Sequence, residues 1–355
     1  MRLAQLTVRN FRNIAALDVE LPATGVVLLG ANGHGKTNVL EAVYYLVLFR
    51  SLRAAKDREL VRFGEAGFFV AGHAGRRVTA GYEIAGRRKK VTIDGVEMRR
   101  LADAVGTITA VAFSPTDRGI VDGGPAARRR YLDVLLALST PDYLAHLTHM
   151  RGALRQRNAA LRQGDARTAR AFDEPLARAG RCVIAARAAW AGRWAARFAN
   201  LCAALGERGT GALRYAPRHA IGEGSDGLER ALGEALDRDL RRGMTTVGPH
   251  RDDLRLTLDD RDLRAYGSAG QQRTAAIALR LLEAETLTAA RGTPPIALYD
   301  DVFAELDAGR QERLLALIRE TLPGQAVVTA PRASEVPEAL LDRPRWRVEG
   351  GRVEG

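Results

Sequence analysis

The run Gly30-Ala31-Asn32-Gly33-His34-Gly35-Lys36-Thr37 constrains this chain more than any other segment, because it lies between a continuous apolar run at residues 26–29 and a helix-prone stretch at 37–49. A strand, a glycine-rich turn and a helix start, in that order, make a phosphate-binding loop. The glycines let successive backbone N–H groups turn inward around a phosphate. Lys36 brings a cation, the helix N-terminus adds positive potential, and the Thr37 hydroxyl suits a Mg²⁺ ligand. Lysine occurs only at Lys36, Lys56, Lys89 and Lys90, and one of these stands where the loop requires it. An ordinary glycine-rich turn has no such requirement. The expected nucleotide-binding set is therefore this loop, continued to Asn38.

Two later segments complete a nucleotide site. Ile296-Ala297-Leu298-Tyr299-Asp300-Asp301 is an apolar strand with two carboxylates at its C-terminal end. Alone, such a pair reads equally well as a turn or a helix cap. Paired with a phosphate loop, it is a Walker B arrangement, with Asp300 toward Mg²⁺ and Asp301 accepting a proton from the attacking water. Tyr266-Gly267-Ser268-Ala269-Gly270-Gln271-Gln272-Arg273 opens a predicted helix shortly before that strand. Ser268, Gly270 and Gln271 would offer a hydroxyl, open N–H groups and a dipole end to an anion. This looks like the ABC signature, although Ala269 stands where a second glycine is common. Residues 303–307, which follow Walker B, resemble the D-loop of ABC ATPases and make Asp307 a further nucleotide-site candidate. Thr329 ends the final apolar strand, where such ATPases place a γ-phosphate sensor. A threonine there can hydrogen-bond but cannot carry charge.

The expected fold class is α/β: an ABC-type P-loop ATPase head built from both chain ends, with an inserted, mainly helical lobe. The expected boundaries are 1–124 for the first part of the head, 125–242 for the lobe and 243–355 for the second part. The lobe follows from Ala-, Leu- and Arg-rich sequence with candidate helices at 126–138, 141–161, 172–205 and 228–240, and Thr140-Pro141 is expected to cap the second. None of them sustains a heptad, which excludes a long coiled-coil arm. Cys182 and Cys202 are too few and too far apart for a metal site. The longest clean apolar run, residues 42–49, cannot span a bilayer. The N-terminus, beginning Met1-Arg2-Leu3-Ala4-Gln5, has no apolar core of signal-peptide length, so a cytoplasmic location is expected, nucleoid-associated if the chain's basic charge serves DNA.

Bases outnumber acids 54 to 42, giving a net charge of +12. A GC-rich genome accounts for arginine in place of lysine but not for the excess itself, so a polyanionic partner, DNA first, is expected. Candidate DNA contacts are Arg87, Arg88, Lys89 and Lys90 on a hairpin-like segment, and Arg128, Arg129 and Arg130 at a helix start. Three arginines there oppose the helix dipole by a few tenths of a kcal/mol each, which points to an external anion or to acidic neighbours.

Beyond these motifs, the chain resembles the RecF family of bacterial recombination mediators, in the SMC-like branch of ABC ATPases. The resemblance is carried by Leu6-Thr7-Val8-Arg9-Asn10-Phe11-Arg12-Asn13, by the phosphate loop running on to Leu40-Glu41-Ala42, and by Phe113-Ser114-Pro115. It continues through Arg128-Arg129-Arg130-Tyr131-Leu132-Asp133, Gln156-Arg157-Asn158, Gly248-Pro249-His250-Arg251-Asp252-Asp253-Leu254 and Gly270-Gln271-Gln272-Arg273-Thr274 to Asp300-Asp301-Val302. It implies ATP and Mg²⁺ as cofactors, slow and DNA-dependent ATP hydrolysis, and an ATP-dependent homodimer. It also implies binding to double-stranded DNA and single/double-strand junctions, RecR and RecO as partners, and recombinase loading on gapped DNA. One departure is that Ser114-Pro115-Thr116-Asp117 stands where a Q-loop glutamine would be. Two other readings stay open: a DNA-binding scaffold that uses ATP only as a dimerisation switch, and a transporter nucleotide-binding subunit. The length of chain between Lys36 and Ser268 exceeds what the transporter subunit needs.

Overall fold

The computed structural model describes residues 1–218, 226–303 and 306–355. They form two compact units, Met1–Asp117 with Glu283–Gly355, and Arg118–Leu282.

The first unit has two sheets. One is antiparallel, in the order Ile14–Glu20, Gln5–Phe11, Gly67–Ala74, Arg76–Glu83, Arg88–Ile93, Val96–Glu97. Its strands alternate: Leu6, Val8, Val78, Ala80, Val91 and Ile93 are buried while their sequence neighbours are more exposed. The other sheet runs Arg352–Glu354, Arg345–Glu349, Gly25–Leu29, Ala326–Ala330, Ile296–Asp300, Ala110–Phe113. Its last five strands are mutually parallel, and Arg352–Glu354 adds an antiparallel edge. Parallel strands covered on both faces read as unbroken apolar runs, which is why the interior ones were legible in the sequence. The helix Lys36–Leu48 packs against both sheets. Apart from Glu41, it is apolar all round from residue 39 on, not along one stripe: Val39, Leu40, Ala42, Val43, Tyr44, Tyr45, Leu46 and Val47 are all buried. Each of the large side chains among them contributes roughly 1.5–3 kcal/mol relative to exposure. The helix ends at Phe49, which takes a left-handed conformation and donates its N–H to the Tyr45 carbonyl at 2.7 Å.

In the second unit the main helices are Pro125–Ser139, Tyr143–Arg162 and Asp173–Ala204. Thr140 does not cap the second of these. Its N–H bonds the Leu136 carbonyl and closes the preceding helix, leaving Asp142 at the N-cap with φ 57° and no side-chain cap. The expected helix at 228–240 is two helices, Gly227–Glu234 and Leu236–Arg242. Gly233 weakens the first, and Asp237 and Asp239 give the second its own acidic start. A three-stranded antiparallel sheet joins Gly211–Ala216, Asp253–Leu258 and Arg261–Asp262. Because Gly211–Ala216 ladders with Asp253–Leu258, the unit continues past residue 242 to Leu282.

Two buried arginines organise this unit. Arg187 donates to Asp133 at 2.7 Å, to the Tyr143 hydroxyl at 3.1 Å and to the Pro249 carbonyl at 2.8 Å. Arg157, 0% exposed, donates to Asp173 at 2.7 Å, to Asp239 at 2.6 Å and to the Thr245 hydroxyl at 2.9 Å. Removing one partner would leave a buried charge uncompensated, at a cost of about 3–5 kcal/mol. Among the described residues, no helix is long and apolar enough to cross a membrane.

Candidate functional site

The phosphate loop leaves the strand Gly25–Leu29 and enters the helix at Lys36. Gly35 is the helix N-cap at φ 110°, and a Cβ there would meet the Asn13 side chain at 2.7 Å. Gly30 is equally constrained, since a Cβ would approach the Val348 carbonyl oxygen to 2.2 Å. The loop is propped from below: the His34 carbonyl accepts from Asn13 Nδ2 at 3.2 Å and from the Gly351 N–H at 2.9 Å. Ala31, Asn32 and Gly33 form its exposed tip. Lys36 is 4% exposed, and its ammonium turns back into the loop to donate to the carbonyls of Gly30 at 2.7 Å and Ala31 at 3.2 Å.

The Walker B strand brings its carboxylates to the same place. Thr37 Oγ1 donates to Asp300 Oδ1 at 2.7 Å. Thr329, paired with Asp300 across the neighbouring parallel strand, sets its hydroxyl 3.1 Å from Asp300 Oδ1 and 3.2 Å from Asp301 Oδ1. The same hydroxyl accepts the Asp301 N–H at 3.0 Å. Asp301 takes φ 49°, a left-handed conformation that costs a non-glycine residue free energy and recurs at functional sites. Thr329 therefore holds the backbone turn that aims Asp301. Burial pushes the Asp300 carboxyl above the ordinary carboxylate range; the Thr37 hydrogen bond opposes this and the Asp301 charge adds to it. Thr37 and Asp300 supply adjacent hard oxygen donors, the donor type that Mg²⁺ takes beside phosphates and water.

A hub that the motifs did not reveal lies behind the loop. Glu41, 0% exposed, accepts from Arg12 Nε at 2.9 Å, from Ser51 Oγ and from Arg53 Nη2. Burial raises the Glu41 carboxyl, but the hydrogen bonds from Arg53, Arg12 and Ser51 outweigh it and hold the group below its ordinary range. Arg53 also reaches the Asn38 amide oxygen, and Asn38 Nδ2 donates to Asn13 at 2.8 Å. The hub thus ties the helix start to the turn at Arg12 and Asn13. Arg53 had no sequence signal, because its partners lie in distant turns and obey no periodicity.

Ser268, Gly270 and Gln271 lie in the second unit at the start of the helix Ala269–Arg291. Ser268 and Gln271 form a reciprocal capping box: Ser268 N–H donates to Gln271 Oε1 at 2.9 Å, and Gln271 N–H to Ser268 Oγ at 3.2 Å. Ser268 is exposed, and Tyr266 beside it is 76% exposed. Of the D-loop segment, Ala304 and Glu305 lie outside the described residues. Asp307 is the N-cap of the helix Ala308–Thr321, accepting the Arg310 N–H at 2.9 Å. The four residues in the Q-loop position close a small turn, with Ser114 N–H donating to Asp117 Oδ2 at 2.8 Å.

The basic candidates divide. Arg128 is not a surface cation, which corrects its expected place on a DNA face. It is 4% exposed, grips Asp253 with Nε and Nη2 at 2.8 and 2.9 Å, and donates to the carbonyls of Val121 and Gly123 at 3.0 Å. The acidic neighbour, not an external anion, answers the helix dipole here. Arg129 donates to the Asp252 carbonyl at 2.7 Å, while Arg130 is exposed. Lys89 is likewise withdrawn, bonded to Asp57 and to the Phe49 carbonyl, each at 2.7 Å. Arg87 is exposed, and Arg88 and Lys90 reach Glu97 at 3.7 and 3.2 Å from exposed positions.

Known proteins bear on this geometry. The model of the RecF/RecN/SMC N-terminal domain matches residues 2–343. The DNA replication and repair protein RecF of Anaeromyxobacter sp. (strain Fw109-5) is 40% identical over 99% of both chains. That of Myxococcus xanthus is 37% identical over 99% of this chain and 97% of its own. A solved structure of the recombination mediator protein RecF with ATP superposes with a TM-score of 0.89 at 29% identity, covering 99% of this chain and 96% of that one. An Smc head bound to the C-terminal winged-helix domain of ScpA, 13% identical at a TM-score of 0.55, shares the fold. On the matched family model and full-length similarity, this chain belongs to the RecF family of DNA replication and repair proteins, with the ABC-type ATPase head of the RecF/RecN/SMC group.

Proposed function

We propose that the chain is an ATP-driven DNA-binding protein of recombinational repair and replication. ATP closes two copies into a dimer on gapped or junction DNA, the dimer assists recombinase loading together with RecO and RecR, and slow, DNA-dependent hydrolysis resets it. The supporting observation is the hydrogen-bonded cluster of Thr37, Asp300, Asp301 and Thr329 beside a loop into which the Lys36 ammonium is folded. Lys36 would hold the β- and γ-phosphates, and Thr37 and Asp300 would hold Mg²⁺. The bound ion would neutralise charge developing on the phosphates. Asp301 would take the proton of the attacking water from a position fixed by Thr329. Thr329 contributes a hydroxyl and no charge at the sensor position, which favours slow turnover. The reading with ATP as a switch alone shares every residue here except the role of Asp301.

Light scattering on the wild type and on Lys36→Ala, with ATP, with ADP and without nucleotide, tests the reading. Dimers are expected only in wild type with ATP. Equal ATP-driven dimerisation of Lys36→Ala would overturn the assignment of the loop. Measurable turnover in the same samples separates an ATPase from a switch.

A further inference from the structure

The segment Gly248-Pro249-His250-Arg251-Asp252-Asp253 has no part in the nucleotide cluster, yet the second unit is built around it. Both its carboxylates are committed to partners within the unit. Asp252 accepts the Tyr215 hydroxyl and, at 3.0 Å, the Arg218 N–H, while Asp253 grips Arg128. Neither meets a guanidinium at the surface.

The outward face of the adjoining sheet is basic. Its ladder pairs Arg255 with Arg214 and ends at Asp253 and Ala216, and Arg251 and Arg218 lie just beyond that end. Asp252, Leu254 and Leu256 point the other way and are buried. Like charges directly opposite destabilise a ladder, so the Arg255–Arg214 pair favours a counter-charge on this face. Arg218 and Arg251 then share a cavity of about 290 Å³ with Arg238, Arg242, Met244 and Thr246. Its floor is rigid: Thr246 accepts from Arg238 Nε at 3.0 Å and donates to Asp239 at 2.6 Å, and Asp239 is itself held by Arg157. Among the described residues, none of the four cavity guanidiniums has a carboxylate within ion-pair distance. Among the described residues the lining has no aromatic ring on which a nucleobase could stack. Converging guanidinium forks without an acid, over a fixed floor, suit a phosphate group.

We propose that this arginine face and its cavity form a contact for the sugar–phosphate backbone of duplex DNA. The proposal rests on the DNA-binding reading above and adds to it the place of contact. It also gives residues 248–253 a role: Asp252 is turned inward and Asp253 is taken up by Arg128, which leaves Arg251, held by the Thr245 carbonyl at 3.1 Å, and Arg218 at the cavity without a carboxylate.

The test is a salt titration of binding to a fluorescent duplex of about 30 base pairs with ATP present. Three proteins are compared: wild type, Arg218→Ala with Arg242→Ala, and Arg167→Ala with Arg178→Ala. The last pair removes the same charge from exposed helix positions elsewhere in the unit. The cavity pair should flatten the slope of log K against log salt by about one to two units and weaken binding on the order of tenfold, with the unfolding midpoint unchanged. The distal pair should leave the slope as in wild type. An unchanged slope in the cavity pair, the outcome expected if an acidic protein segment occupies the site, overturns the proposal alone. Equal flattening by the distal pair also overturns it, by reducing the effect to net charge. A wild type that binds no duplex takes down the DNA reading and this proposal together.

Discussion

Asp300 is 9% exposed, and burial holds its carboxyl above the ordinary carboxylate range against the hydrogen bonds of Thr37 and Thr329. Its folded-state pKa is raised, so between the ordinary value of 3.8 and the raised one the folded chain keeps a proton that the unfolded chain has released. Stability from this group therefore falls as pH rises through that window, and the cost persists above it. Asp300→Asn should abolish Mg²⁺-dependent nucleotide binding, yet without nucleotide it should unfold at or above the wild-type midpoint at pH 7. That advantage should close below pH 3.8, the ordinary value. A clearly less stable variant at pH 7 would mean that the two threonine hydrogen bonds outweigh burial. Asp301 calls for a different test. Asp301→Asn keeps the shape and the N–H bond to Thr329 but cannot accept a proton, so ATP should bind while turnover falls by roughly 100-fold or more. Near-normal turnover in both variants would remove the Walker B roles. Lys36, Thr37 and the Asp300–Asp301 pair were legible because their chemistry dictates fixed spacings from apolar strands. The Glu41 hub was not, since Arg12, Ser51 and Arg53 meet it only through folding.

At the scale of elements, the same contrast holds. Strands buried on both faces and the helix after the phosphate loop could be read directly from their apolar runs. Gly211–Ala216 escaped because its partner lies some forty residues on, and Arg345–Glu349 because charged residues alternate through it with no apolar run. The three arginines at 128–130 looked alike in sequence but differ in the structure: Asp253 takes up Arg128, the Asp252 carbonyl takes up Arg129, and Arg130 is exposed. The same stretch of chain yields a pH prediction. His250 Nε2 lies 3.0 Å from the Thr245 carbonyl, and burial lowers its pKa to about 4, with Arg251 and Arg129 adding to the effect and Thr245 and Asp239 opposing it. The unfolded chain takes up this proton near pH 6.5, before the folded chain does, so the second unit should lose stability as pH falls from 6.5 to about 4. The loss should be of the order of 2–3 kcal/mol. His250→Gln keeps a donor toward Thr245 and should flatten that decline in a series of denaturant titrations. An identical decline in the variant would assign the acid sensitivity to other groups.

For the whole molecule, the nucleotide cluster and the signature belong to different compact units of one chain. The proposed account joins them across two copies: Ser268 and the exposed helix start of one protomer meet the γ-phosphate held by Lys36 of the partner subunit. ATP is then a bridging ligand, and association should track nucleotide concentration by mass action. The most direct measurement mixes a Lys36→Ala chain with a Ser268→Arg chain, each inactive alone, and follows ATP turnover across mixing ratios. A heterodimer would carry one site with both lesions and one with neither, so each heterodimer should regain about half the wild-type activity, and activity should peak at equal amounts. Heterodimers that form, shown by two-colour co-elution, yet stay inactive at every ratio would contradict a site shared between chains.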